Sequence, residues 1–509
     1  MPAPAATHRT DPVCGTCRKK CRRCDRTKPE CKRCTSLGLV CEGYSLNVKM
    51  YGVEGGALRK SRPKARRESA AEARRGKEPA HAEPVFRASP DGGASSESAS
   101  SAGTDLLLPA AYGQALPLTT TNLRLRNDED VQGLLSYYEN VVCPKLSIIT
   151  DDGPDPFRAY ILPLALHDTG LLKAVLGLTA CHISTQQRTP NRRLETAALE
   201  YRVSALQSLS AILLKEECLA LSGAEEETAL AIVLMLVFHD TFECGRSSHG
   251  AHLNGVAFLC SRLVERSSCL SSSQTFLVTA LTWFDLLRGF SGAEKLAFPA
   301  NVRHFVATSA NSTLTSLVGC PVEVFIAISD TLAAGKEYLA NELDKERFQS
   351  SLDETLLHLQ AWDPSSGRYP NADLEWTHLG EAFRQVAILR VLRFPDPFSI
   401  PCTDPRIRAP VEAILDASTR VSRNSSYCKR LLFPLFLAAA ETASPHQQQY
   451  VIMYVDHIKS MTGITYHSIN ELLEKTWRDR INSDGQRNVP WHEYTCSIHL
   501  PRQHDYLFF

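Results

Sequence analysis

The chain has 509 residues, of which 22% are charged and 43% hydrophobic, and its formal net charge is zero. That length has room for two or more domains. The longest dense apolar run, from Ala229 to Phe238, is about half of the ~20 residues that a membrane span requires, so we expect no membrane association.

The charge is unevenly distributed along the chain. Residues 1–75 hold 19 Lys and Arg against 7 Asp and Glu, a net charge of +12, so the remaining residues carry −12. A basic N-terminal part followed by an acidic remainder is typical of a nucleic-acid-binding protein with a separate regulatory domain. No signal peptide is evident, and the ten cysteines after residue 41 are scattered singly, which predicts free thiols in a reducing interior.

Six N-terminal cysteines follow the spacing C-x2-C-x6-C-x6-C-x2-C-x6-C: Cys14, Cys17, Cys24, Cys31, Cys34 and Cys41. Each C-x2-C pair supplies two thiolates from one tight turn, which suits a tetrahedral zinc site. Two separate tetrahedra would need eight sulfurs, so six can hold two zinc ions only if two of them bridge. Residues 10–45 are too short to bury an adequate core, so the metal would supply most of this module's stability.

The stretch CGTCRKKCRRCDRTKPECKRCTSLGLVC, from Cys14 to Cys41, resembles the fungal Zn2Cys6 binuclear-cluster DNA-binding family. The resemblance implies two zinc ions per chain, both bridged by Cys14 and Cys31, with Cys17 and Cys24 completing one and Cys34 and Cys41 the other. It also implies a nuclear protein whose partner is double-stranded DNA with CGG-type half-sites. A first helix from Arg18 would enter the major groove, and the predicted DNA contacts are Arg18, Lys19, Lys20, Arg22, Arg23, Lys28, Lys32 and Arg33.

Cys21 is a seventh cysteine inside this module, at a position where the family commonly has a base-contacting lysine. A ligand role would break the six-residue spacing, so we interpret Cys21 as a residue that faces DNA, with a ligand role as the alternative. The missing lysine is one of the residues that read the CGG triplet. This departure motivates an alternative function, a zinc-bound interaction factor that has lost sequence-specific DNA reading.

Residues 46–127 are predicted to be a flexible linker, because their Gly-, Ser- and Pro-rich stretches cannot bury enough apolar surface to fold. Within them, RKSRPKARR (Arg59 to Arg67) is a basic cluster that suits a nuclear import signal, a phosphate-contacting arm or simply a solvated tail. No heptad repeat follows Cys41, so we expect no coiled coil there, and a homodimer would form through the helical body.

Residues 128–509 are predicted to form a large all-α-helical domain, which makes the fold mainly α. Apolar residues recur at helical spacing from Val131 to Tyr138 and from Leu194 to Ile212, and Thr228 to Phe238 is apolar all round, as in a buried helix. Ala251 and Gly255 place small residues one turn apart, which permits close helix packing there. Strand signals are few.

This body resembles the second fungal-specific transcription factor domain family, through Tyr137 to Ser184, Leu230 to Leu259, Pro434 to Thr442, Trp477 and Trp491. The resemblance implies an α-helical regulatory domain without catalytic residues.

Other constellations in the body carry little chemistry. His249 and His252, near His239-Asp240, lack a third metal ligand at a recognisable spacing, and DDGPDPF (Asp151 to Phe157) reads as a turn before a helix rather than a calcium loop. We find no nucleophile elbow, P-loop or dinucleotide fingerprint and predict no enzyme; an enzyme with a fused zinc module is a remote alternative. The leading prediction is a zinc-dependent, sequence-specific regulator that acts with the RNA polymerase II transcription machinery, and regulation of a metabolic gene cluster fits the family.

Overall fold

The structure is a computed structural model that describes residues 31–36, 41, 128–148, 154–187, 189, 191–243, 249–266, 269–483, 487–496 and 508. The chain divides into two compact units, Met1–Gln114 and Ala115–Phe509. In the first unit, the description is limited to helix α1 (Lys32–Ser36) with the preceding Cys31, and to Cys41. The predicted linker, residues 46–127, lies outside the described residues.

The described part of the second unit is helical, which confirms the mainly α prediction. Its α-helices are α2 (Asp128–Tyr137), α3 (Cys143–Leu146), α4 (Leu162–His167), α5 (Thr169–Gln186), α6 (Arg192–Cys218), α7 (Gly223–Glu243), α8 (His249–Arg266), α9 (Ser272–Gly289), α10 (Ala300–Thr308), α11 (Asn311–Val318), α12 (Val322–Leu339), α13 (Lys345–Ala361), α14 (Leu374–Leu392), α15 (Pro405–Arg420), α16 (Leu432–Glu441), α17 (Pro445–Thr462), α18 (His467–Asn482) and α19 (Glu493–Cys496). Short 3-10 turns lie at Ala293–Lys295, Pro364–Ser366 and Cys428–Leu431.

Helix starts follow from local side-chain chemistry. The Asp168 carboxylate accepts the Leu171 N–H at 2.8 Å at the start of α5. Ser271 and Gln274 form a reciprocal capping box at the start of α9. Such caps satisfy N–H groups that the first turn of a helix leaves without partners, and each stabilises its helix by about 1 kcal/mol.

Two π-helical turns precede prolines. The turns Tyr138–Val142 and Phe157–Ile161 lead into α3 and α4, whose second residues are Pro144 and Pro163. A proline has no N–H for the carbonyl four residues earlier, and its ring clashes with that carbonyl. The wider π turn accommodates the proline, because the N–H of the residue before it donates to the carbonyl five residues back. These bonds run from Cys143 to Tyr138 and from Leu162 to Phe157. Asp155 caps the second turn, accepting the Phe157 N–H at 2.9 Å, as expected of a turn before a helix.

Helices α5 and α6 pack closely through glycine. A Cβ added at Gly170 would lie 2.5 Å from Ser208 Cβ, which is too close without a shift, and one at Gly177 would lie 3.2 Å from Tyr201 Cβ, which is a tight contact. The apolar stripe predicted on α6 faces inward, with Ala198, Ala205 and Leu209 buried. The close packing that Ala251 and Gly255 permit is not found, because Ala251 is exposed and a Cβ at Gly255 would meet nothing within 4 Å.

Helix α7 lies at the centre of the core. Every residue from Thr228 to Phe242 is buried, which confirms the prediction of a helix surrounded by protein. The Phe238 ring contacts Phe157 and Phe284 edge to face, with centroids 5.5 Å and 5.3 Å away. Residues buried on all faces of one helix require neighbours on every side, which explains the many helices around α7.

The beginning and end of this unit are joined by hydrogen bonds. His182 on α5 contacts the Thr462 carbonyl at the end of α17, with an Nε2–O distance of 3.1 Å. The Lys145 Nζ donates to the Met461 carbonyl at 3.3 Å, and the Lys429 Nζ donates to the Pro144 carbonyl at 2.8 Å. The domain therefore closes only when its last helices pack on its first ones.

The closing helices bury a polar network. All of α16 is buried, and Trp477 Nε1 donates to the Ala439 carbonyl at 2.8 Å. Glu441, the last residue of α16, forms an ion pair with Arg393 just after α14, and both side chains are more than 90% buried.

No single helix in the described ranges has the length and apolar character of a membrane span; α11 and α12 meet that criterion only together, as a pair bent by 93°.

Candidate metal centre and nucleic-acid interface

Three of the predicted zinc ligands lie together in the described part of the first unit. The Sγ atoms of Cys31, Cys34 and Cys41 lie within 4.8 Å of one another. Cys31 and Cys34 are buried, and Cys41 is half-buried. The sulfurs are brought together although Cys41 lies ten residues beyond Cys31 in the sequence.

Helix α1 begins between the two cysteines of the C-x2-C pair and sets this geometry. Its first turn lets the Cys34 N–H donate to Cys31 Sγ at 3.3 Å, while the Cys31 N–H donates to Cys41 Sγ at 3.5 Å. The Thr35 N–H and hydroxyl both reach the Cys31 carbonyl, at 3.2 and 3.1 Å. These bonds hold the three sulfurs near one another on the side of the first turn of α1.

This donor set fits zinc. In a tetrahedral site with Zn–S bonds of about 2.3 Å, the sulfurs lie about 3.8 Å from one another. The three cysteine sulfurs lie within 4.8 Å of one another, which is compatible with that distance. A tetrahedral zinc ion bound by these three sulfurs has one coordination position left, and the prediction assigns that position to Cys14. Cys14, Cys17 and Cys24 lie outside the described residues, so their roles stay predictions.

Most of the predicted DNA contacts also lie outside the described residues, namely Arg18, Lys19, Lys20, Arg22, Arg23 and Lys28, together with Cys21. Lys32 is described and is exposed at the first position of α1, next to the cysteine cluster. Arg33 occupies the second position of the same helix. Their assignment to the DNA backbone stays a prediction.

A second group of metal-ligand residue types lies on α7, where His239, Asp240 and Glu243 have ligand atoms within 4.8 Å of one another. Arg202 on α6 already pairs with both acidic residues: its guanidinium contacts Asp240 and lies 2.7 Å from Glu243. Burial lowers the pKa of His239 to about 3 and raises the pKa of Asp240 to about 7, although Arg202 opposes the latter shift. We interpret the group as an ion-pair network that joins α6 to α7.

Sequence reasoning considered His249 and His252 in this region and missed Arg202 and Glu243. His252 is half-buried, and burial lowers its pKa. Arg202 lies 38 residues before Asp240, and no local pattern connects the two.

Both parts of the chain match known protein families. Residues 12–50 match the fungal Zn(2)-Cys(6) binuclear cluster domain, a zinc-dependent DNA-binding module. Residues 133–509 match the fungal specific transcription factor domain, which covers well over half of the sequence. The chain belongs to the fungal Zn2Cys6 transcription factor family.

One curated relative is similar over much of the chain. The acriflavine sensitivity control protein acr-2 of Neurospora crassa is 22% identical over 390 residues, which are 70% of this chain and 64% of the relative. No solved structure matches the chain.

Family membership defines the class of protein. The chain combines a cluster domain of the type that binds zinc and DNA with a fungal transcription factor domain. Its family acts in the nucleus, and both matched domains are regulatory rather than enzymatic.

Proposed function

We propose that the chain is a zinc-dependent, sequence-specific regulator of RNA polymerase II-type transcription, with two zinc ions in residues 10–45. The observation that carries this proposal is the convergence of Cys31, Cys34 and Cys41 within 4.8 Å, at the end of the six-cysteine spacing. Two further features support it, the match of residues 12–50 to the cluster domain and the concentration of positive charge in the first 75 residues.

The basic residues divide into two groups in this proposal. Those between the first three cysteines (Arg18, Lys19, Lys20, Arg22 and Arg23) would contact base edges and phosphates in the major groove. Lys28, Lys32 and Arg33 would contact the DNA backbone. The exposed position of Lys32 beside the buried cysteines supports this division.

The helical body, residues 128–509, would regulate activity and carry a homodimer contact, since no heptad repeat follows Cys41. Contacts with the transcription machinery and control of a metabolic gene cluster belong to the same proposal.

The test is binding of the full-length protein to duplexes that contain CGG half-sites, compared with scrambled duplexes of equal composition at physiological salt. We expect tighter binding to CGG, and a salt dependence whose logarithmic slope grows by roughly one unit for each phosphate contact. Cys21→Lys should sharpen the preference because it restores a cation at the reading position. Cys21→Ser is the matched control, and it should leave zinc content unchanged.

The second candidate, a zinc-bound interaction factor, is favoured by Cys21 and by the missing coiled coil. It predicts equal, weak binding to both duplexes with full zinc occupancy. A loss of zinc in Cys21→Ser would instead show that the ligand assignment is wrong.

A further inference from the structure

A cavity of about 470 Å³ opens where the end of α3, the start of α9 and the start of α11 meet. Its volume lies within the range of about 300–1,000 Å³ that is usual for small-molecule sites. One part of its wall is apolar and includes Tyr160, Phe276 and Leu317. Six hydroxyl side chains form another part: Ser147, Ser272, Thr275, Ser312, Thr313 and Ser316.

The start of α11 adds backbone donors. No side chain caps this helix, and the Leu314 N–H is the donor that reaches the Ala310 carbonyl, at 2.9 Å. The N–H groups of Ser312 and Thr313 precede that bond, and both residues line the cavity. An uncapped helix start carries partial positive charge and favours an anionic ligand group.

A cation lies beside the same helix start. A smaller cavity of about 160 Å³ shares Ser312 and Pro370 with the first and is lined by Arg368. Arg368 is exposed and forms no ion pair with a described residue. Among the described lining residues of the larger cavity the acidic one is Asp155, and its Oδ1 already accepts the N–H groups of Phe157 and Arg158, at 2.9 and 3.1 Å.

We propose that this cavity binds a small amphipathic carboxylate. The apolar body would pack on Phe276 and Leu317, and the carboxylate would face the start of α11 on the side of Arg368. The site is formed by the helical domain alone, so it does not depend on how the cluster domain reads DNA.

The probes are 4-phenylbutyrate and its neutral amide, 4-phenylbutyramide, titrated into the full-length protein by calorimetry. The two molecules have nearly the same shape and differ in charge. We expect one saturable site for the acid and about 5- to 20-fold weaker binding of the amide, the effect of a helix start together with an exposed cation.

Three variants separate the contributions. Ser316→Phe should abolish binding of both probes because it fills the cavity. Arg368→Gln should weaken the acid by about 3- to 5-fold and leave the amide unchanged, whereas Arg478→Gln, an exposed arginine outside the lining, should change neither.

Thermal melts without ligand check that each variant is folded, and because Arg368 is exposed, its variant remains informative if Ser316→Phe fails to fold. Equal binding of acid and amide, or unchanged binding of the acid to Arg368→Gln, would overturn the proposed carboxylate. An absence of saturable binding of the acid would overturn the site itself.

Discussion

Replacing Glu441 by Gln tests whether the buried ion pair holds the closing helices in place. Glu441 accepts from Arg393 Nε at 3.1 Å and also from Arg393 Nη2, and the two side chains are only 7% and 5% exposed. Glutamine keeps the shape and one acceptor but leaves the Arg393 charge buried without a counter-charge. Breaking a buried pair from one side costs about 3–5 kcal/mol, and since one hydrogen bond survives we expect about 3 kcal/mol.

The measurement is the free energy of unfolding of the full-length protein in denaturant. Glu412→Gln is the matched control, because Glu412 pairs with Arg408 at 3.1 Å on the surface and should contribute less than about 0.5 kcal/mol. Replacing both partners, Arg393→Met with Glu441→Leu, should cost much less than Glu441→Gln alone. A loss below about 1 kcal/mol in Glu441→Gln, or a double variant as unstable as that single one, would refute this reasoning.

Three further predictions concern the metal, the DNA site and pH. Elemental analysis should give two zinc ions per chain, and Cys31→Ser should lose more zinc than Cys41→Ser because a bridging sulfur serves both metals; one zinc in the native protein would contradict the bridging scheme. In a gel-shift series with paired half-sites, residues 1–104 should bind a single half-site and show no optimal spacing, and a sharp optimum would reveal a local dimer contact. Burial lowers the pKa of His182 to about 4, so its contribution to stability is present above about pH 6.5 and is lost as the pH falls toward 4. His182→Gln should therefore reduce the loss of stability between pH 7 and pH 5 by about 2 kcal/mol, and an unchanged loss would argue against a neutral, buried imidazole.

The parts of the fold that the sequence predicts are those with a local period. The run from Thr228 to Phe238 leaves no polar face, so its burial follows from the residues alone. The small residues Ala251 and Gly255 do not lie at a close helix contact, because a small side chain permits close packing but does not require a neighbour. The observed close approach is at Gly170 and Gly177, and only the position of α6 shows why a side chain there would be crowded.

The residues of the candidate sites also fall into two groups, those that local spacing predicts and those that only tertiary packing brings together. The convergence of Cys31, Cys34 and Cys41 follows from spacing, because C-x2-C and x6 are distances along one short chain. The Arg202–Asp240 pair and the Arg393–Glu441 pair join residues 38 and 48 positions apart, and no periodicity records such distances. The cavity is lined by segments far apart in the sequence, among them those around Ser147, Phe276 and Ser316, so tertiary packing alone creates it.

The bonds that join the first helices of the body to its last ones affect synthesis on the ribosome. His182 has its partner only after Thr462 is synthesised, 280 residues later. At about 5–20 residues per second, synthesis of that stretch takes about 15 to 55 s. Lys145 and its partner Met461 are separated by 316 residues. Throughout that interval the nascent domain has groups that will be buried but have no partner, a state that invites chaperone binding. A truncated product that stops before residue 461 would never leave this state.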